Sequence, residues 1–393
     1  MNRVLIVSFG SKLDTVLTVM NFEKTEISHI VTLPTDDLDK IKKKHSLKQA
    51  LSYYDALPEI AEKEYFDYII VSDTVNAAGS KNRIVEELER LGVPNDKIIN
   101  FSNFGTIEFF GFYNLVKYFL SDRFITERNK ACGGKGDEIF MVTGVSHAYA
   151  GTDISEFSMP GIKLALTSQD LFYDYELAKL AINHKKGLKY AIIGVSPFSL
   201  HYDLSKSVNV GRCFGYYPMV KSVHNCPISE SKIKELFNEA YIHSYDLFDS
   251  ELIAQHLFGC NSLDKAFTLN DLMEVRKKLA DAGKQFPETA IENKIILRNY
   301  VTDCIKADVL PILVIYPVSE FYNKYFSLKK FSEVRGILED YSEEFNIPFY
   351  DFSNDKRFTI SDFFDVEHLN VRGAKKISQI LDKVLSKIVR ERR

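Results

Sequence analysis

The sequence predicts an α/β protein made of two parallel-sheet domains. Short apolar runs alternate with helix-length amphipathic stretches along most of the chain. The runs are apolar throughout instead of alternating with polar residues, as strands covered on both faces require. The chain has 393 residues, too many for one typical domain and comfortable for two.

In order, residues 4–7 and 27–33 read as the first two strands. The lysine-rich stretch 36–48 reads as loop and helix. Residues 67–72 form a buried parallel strand, followed by a helix over 82–91. Gly92-Val93-Pro94 ends that helix, and 98–101 is the next strand. The first strand runs into Phe9-Gly10-Ser11-Lys12, which lacks the GxGxxG of a dinucleotide fold. Gly10 and Ser11 can bring backbone N–H groups to an anion, but a tight strand-to-helix turn is the favoured reading. Residues 109–124 have helical aromatic spacing and read as a connecting helix. The polar, glycine-rich stretch 126–137 reads as the interdomain linker, which sets the domains at 1–130 and 131–393.

The second domain opens with a strand over 138–143. A strand-like 162–166, a helix over 171–182 and a strand over 190–195 follow. Residues 199–287 break this rhythm with many Tyr and Phe and with His201, His224, His243 and His256. They predict an inserted helical, aromatic cap. A helix over 288–306, a strand over 312–316, a helix over 328–345 and a strand over 348–351 come next. A closing helix over 372–389 completes the pattern.

Composition narrows the function classes. The net charge of −4 gives no general reason to expect nucleic acid or an anionic membrane as partner. Cys132, Cys213, Cys226, Cys260 and Cys304 are scattered, odd in number and without CxxC spacing. They predict reduced thiols in a cytoplasmic protein, with neither a disulfide framework nor a structural zinc site, and no metal or cofactor is expected. No apolar run is long enough to span a bilayer.

Two segments carry the chemistry. Phe364-Asp365-Val366-Glu367-His368-Leu369-Asn370 puts an Asp and a His three apart in one short turn. The carboxylate can fix the imidazole tautomer and leave the other ring nitrogen as a base. The nucleophile for that base is Ser146, in Gly144-Val145-Ser146-His147, directly after an apolar strand. Gly144, Ala148, Ala150 and Gly151 are small enough to allow a sharp turn and close approach of a substrate. Ser146 alone would read as a helix N-cap; the DxxH segment in the same domain raises it to a catalytic candidate.

The order strand–Gly-x-Ser, several βα units, and DxxH before the last helix resembles the SGNH (GDSL-like) hydrolase superfamily. The likeness is greatest to its carbohydrate O-acyltransferase and surface-polymer branch, over roughly residues 138–393. The first domain resembles the Rossmann-like modules found beside sugar-modifying enzymes. The resemblance implies a flavodoxin-like three-layer αβα fold with Ser146 as nucleophile, His368 as base and Asp365 orienting it. The family's oxyanion glycine and Asn are missing here. Their stretches read Leu166-Thr167-Ser168-Gln169-Asp170 and Gly194-Val195-Ser196-Pro197-Phe198-Ser199, so the Gln169 amide and the Ser168 or Ser199 hydroxyl are the substitute donors. His147 is expected to pack or touch substrate, and Tyr316 to shape the pocket wall at a strand's carboxyl end.

These readings predict acyl transfer from a soluble donor, acyl-CoA being one, to a carbohydrate acceptor, or ester hydrolysis. The rival is a non-catalytic carbohydrate-binding or assembly protein with a degenerate site. A nucleotide-sugar enzyme centred on the first domain is a third reading, weakened by the absent glycine fingerprint.

Overall fold

The computed structural model describes residues 1–8, 13, 16–17, 20–32, 37–45, 47, 50–72, 83–100, 107–133, 137–226, 229, 247–248 and 286–392. The chain is α/β, with two five-stranded sheets in which every described strand pairing is parallel. It divides into two compact units. One comprises residues 1–115 and 209–257, the other 116–208 and 258–393.

The first unit contains β1 (Asn2–Ser8), β2 (Thr25–Thr32), β3 (Ala50–Tyr53), β4 (Tyr68–Ser72) and β5 (Ile98–Asn100), in the order β3-β2-β1-β4-β5. Leu5, Val7, Val31, Ile69, Val71 and Ile98 form one core. The helices of this unit are α1 (Leu38–His45), α2 (Leu57–Lys63) and α3 (Arg83–Arg90), and Leu57 of α2 and Leu88 of α3 cover that core. The strands are buried on both faces, which is why their sequences are apolar runs without alternation. The expectation for Gly10 and Ser11 lies outside the described residues.

The two units divide differently from the sequence reading. One division falls at 115/116, inside α4 (Ile107–Leu120). Beyond it, Tyr118 and Phe119 pack edge-on against Phe124 of α5 (Asp122–Ala131), and Lys185 donates to the Ser121 carbonyl. Cys132 and Gly133 therefore end a helix of the second unit instead of linking domains. Of the stretch 199–287, the described residues 209–226, 229 and 247–248 group with the first unit, and most of the rest lies outside the described residues. Within that unit Phe112 meets Tyr216 of the helix Arg212–Val220 edge to face, and Met20 bridges Phe248. Aromatic side chains go where an apolar surface receives them, and Phe112 and Met20 are fully buried there. His243 and His256 lie outside the described residues.

The second unit contains β6 (Ile139–Gly144), β7 (Gly161–Lys163), β8 (Leu188–Gly194), β9 (Leu310–Ile315) and β10 (Phe349–Asp351), in the order β7-β6-β8-β9-β10. The chain winds from β6 outward to β7, then crosses back past β6 to β8 and continues to β9 and β10. Right-handed crossovers send the connecting helices to opposite faces when the winding direction reverses. The contacts agree. Helix Leu171–His184 meets helix Pro287–Lys306 through Tyr175 and Asp303, and helix Leu328–Phe345 meets the same helix where the Tyr341 hydroxyl donates to the Lys294 carbonyl. The other group pairs helix Ser146–Gly151 with the closing helix Val371–Arg392, where the Ser378 hydroxyl donates to the Gly151 carbonyl. The closing helix buries Ile377, Leu381, Leu385 and Ile388, a stripe at three- and four-residue spacing. No described helix is long and apolar enough to cross a membrane.

Candidate functional site

The winding reverses between β6 and β8, and ligands of open parallel sheets bind at the carboxyl ends of the strands flanking such a point. Those ends are Gly144 and Gly194, which pair with each other in the sheet. Gly144 has φ +137°, and a Cβ there would lie 2.7 Å from both the Ala148 Cβ and the Gly194 carbonyl oxygen. A Cβ on Gly194 would also meet Ala148, at 2.7 Å. Two glycines and an alanine thus let the strand turn into a helix across a single residue, Val145. Ser146 is the first residue of that helix and is half-buried.

The turn is braced from below. The Gly144 N–H donates to Asp174 Oδ1 at 2.9 Å, and the Gln169 amide donates to the same oxygen. Burial pushes the Asp174 carboxyl up to about 8, with the charge of Asp170 adding to the rise and the two hydrogen bonds opposing it. At its far end the short helix is capped by Lys163, whose ammonium donates to the carbonyls of Tyr149 and Thr152 at 3.0 and 2.9 Å. A cation at a helix C-terminus is favourable, because the last carbonyls point outward with a partial negative charge.

The DxxH segment forms a closed turn. His368 Nδ1 donates to Asp365 Oδ2 at 2.8 Å, and Asp365 Oδ1 accepts from the backbone N–H groups of Glu367 and His368. Burial would raise the Asp365 carboxyl, but the imidazole and the two N–H groups hold it down at about 2. Its carboxylate therefore stays ionised at neutral pH and fixes which nitrogen of His368 carries the shared proton. The Phe364 N–H donates to the His368 carbonyl, and the Ser319 hydroxyl donates to the Val366 carbonyl, so both ends of the turn are anchored. Asn370 then starts the closing helix by accepting from the Gly373 N–H.

The two segments come together. His147, one residue after Ser146, lies with its ring centroid 5.7 Å from that of His368, edge to face. His147 Nε2 is 3.5 Å from Glu367 Oε2. The His147 ring is 3 % exposed and also meets Phe198 and Tyr322 edge-on, so it packs within the site. Burial lowers its basicity, against the opposing charge of Glu367.

The expected oxyanion donors are placed differently. Gln169 is 0 % exposed and its amide donates to Asp174 and to the Leu164 carbonyl, so it braces the turn and is not available as a donor to substrate. The Ser199 hydroxyl accepts from the Ser196 N–H and closes the turn after β8. The carbonyls of Ser199, Leu200 and Tyr202 are gathered by the Asn293 amide. Ser168 has φ +59° and its carbonyl accepts from the Tyr202 hydroxyl. Tyr316 is buried, with its hydroxyl bonded to Thr152 and its ring against Gly151 and Gly194, so it is packing behind the turn and not an open pocket wall. His201, one of the histidines of the inserted stretch, is tied to the Phe286 N–H and to Glu333.

Two residues escape the sequence reading. Asp174 sits with Leu171, Ala178 and Ala181 on the apolar stripe of its helix, and a carboxylate in such a stripe is the signal that could have marked it. Glu367 lies inside the DxxH segment itself, but its partner is 220 residues away. No family model matches the chain, and no curated protein matches it.

Proposed function

We propose that the second unit is a flavodoxin-like, SGNH-type catalytic domain and that it carries out serine-dependent acyl transfer on a carbohydrate or surface-glycan precursor, as an O-acyltransferase or an esterase. The observation that carries this reading is the meeting of the Ser146 turn with the Asp365–His368 pair at the reversal between β6 and β8. His368 takes the Ser146 proton as Oγ bonds to the carbonyl carbon of an ester or thioester. The imidazolium, steadied by Asp365, then protonates the departing alcohol or thiol and leaves an acyl-enzyme. A sugar hydroxyl or water completes the cycle. Ser146 opens its helix, so its own N–H, which has no carbonyl one turn earlier, is the first oxyanion donor. The donor is a soluble acyl carrier such as acyl-CoA in a cytoplasmic setting, and the first unit is a Rossmann-like accessory domain.

A fluorophosphonate probe tests this. Labelling at Ser146 that disappears in His368→Ala supports the reading, and unlabelled wild-type protein overturns it. The second reading, a carbohydrate-binding or assembly protein with a degenerate site, is favoured by one observation: the Gln169 amide is committed to internal bonds. Glycan binding by a protein that the probe leaves unmodified would decide for it.

A further inference from the structure

The geometry points to a divalent-cation site of the zinc type formed by His147, Glu367 and His368. One ligand atom from each of these residues lies within 4.8 Å of the other two. The spacing of His147 Nε2 and Glu367 Oε2, 3.5 Å, is longer than the ~2.7–3.2 Å of a good N–H···O bond. It matches two ligands held ~2.1 Å from one tetrahedral ion, which stand ~3.4 Å apart. The donor set of two imidazoles and one carboxylate suits a borderline cation and leaves a fourth position for water or substrate.

A second observation is independent of the spacing. The Tyr322 hydroxyl is buried and has no hydrogen-bond partner among the described residues. Its ring lies 5.8 Å from that of His147. An unsatisfied polar atom beside a cluster of ligand atoms marks a place that gains from a bound ion and its water. The outer arrangement is also in place. His368 gives its Nδ1 proton to Asp365, so Nε2 is the nitrogen it offers to a metal, as in a carboxylate–histidine–metal chain. His368 Nε2 is itself buried, and the Glu367 side chain, 19 % exposed, is the side from which an ion reaches the cluster.

The site has a functional consequence that rests on the acyl-transfer reading. An ion on His368 Nε2 occupies the lone pair that would accept the Ser146 proton. Zinc and the serine reaction then exclude each other, and the cation is a reversible inhibitor.

The test uses the full chain after chelator treatment. Zn²⁺ is titrated calorimetrically, and Co²⁺ is followed by its visible absorption. One equivalent with tetrahedral Co²⁺ bands is expected. Glu367→Gln and His147→Ala should abolish the bands, and Asp365→Asn should weaken binding ~10–100-fold. Glu367→Gln is nearly isosteric and gives the same readout should His147→Ala not fold. Absence of saturable binding, or binding unchanged in Glu367→Gln, overturns the site. Fluorophosphonate labelling separates the two ideas. Labelling without zinc binding refutes the site and leaves the acyl-transfer reading standing, and zinc binding without labelling at any zinc level does the reverse.

Discussion

The Gly144 N–H donates to Asp174 Oδ1 at 2.9 Å, which ties the turn before Ser146 to a carboxyl buried beneath it. That carboxyl is protonated in the fold up to about 8, against 3.8 as its ordinary value. Between those values the folded chain binds more protons than the unfolded chain. The contribution to stability is therefore fully present below pH ~4, falls as pH rises toward 8 and levels off above it. Asp174→Asn, whose amide oxygen still accepts from Gly144, should flatten this fall when urea midpoints are compared across the range. An unchanged slope would show that another group is responsible.

Gly144→Ala should be destabilising by ~1–3 kcal/mol or more, because the residue is held at φ +137° and the new methyl meets Ala148 and the Gly194 carbonyl at 2.7 Å. Equilibrium unfolding measures the loss. A variant as stable as the wild type would mean that the turn relaxes freely.

Lys163→Met should cost ~1–3 kcal/mol, since it strips the carbonyls of Tyr149 and Thr152 of a charged donor while keeping most of the side-chain volume. Urea denaturation reads this directly. A neutral result would indicate that other donors replace the ammonium.

Asp365→Asn should lower kcat on the order of 10⁴-fold with little change in KM, the loss seen when the orienting carboxylate of a serine triad is neutralised. Steady-state kinetics with an activated acyl ester would check it. A change confined to KM would assign Asp365 to binding.

The strands most easily read from sequence are those buried on both faces, such as β6, where six consecutive apolar or small residues admit no other element. β3 escaped because it has only four residues, Ser52 among them, and follows a lysine-rich stretch. The Asp365–His368 contact was legible because it closes over three residues. The contacts of Gln169 and Glu367 were not, since periodicity tells which side chains turn inward but not which partner meets them there. For the same reason the aromatic character of Tyr216 announced a buried side chain without disclosing that its partner is Phe112.

Because Tyr216 and Phe248 meet Phe112 and Met20 of the first unit, that unit cannot finish forming while a ribosome has delivered only its opening 115 residues. Synthesis must run through a large part of the second unit before the missing piece emerges. A truncation after residue 130 would accordingly release an unfinished body, and the order of assembly during translation is dictated by this interleaving instead of by simple succession along the chain.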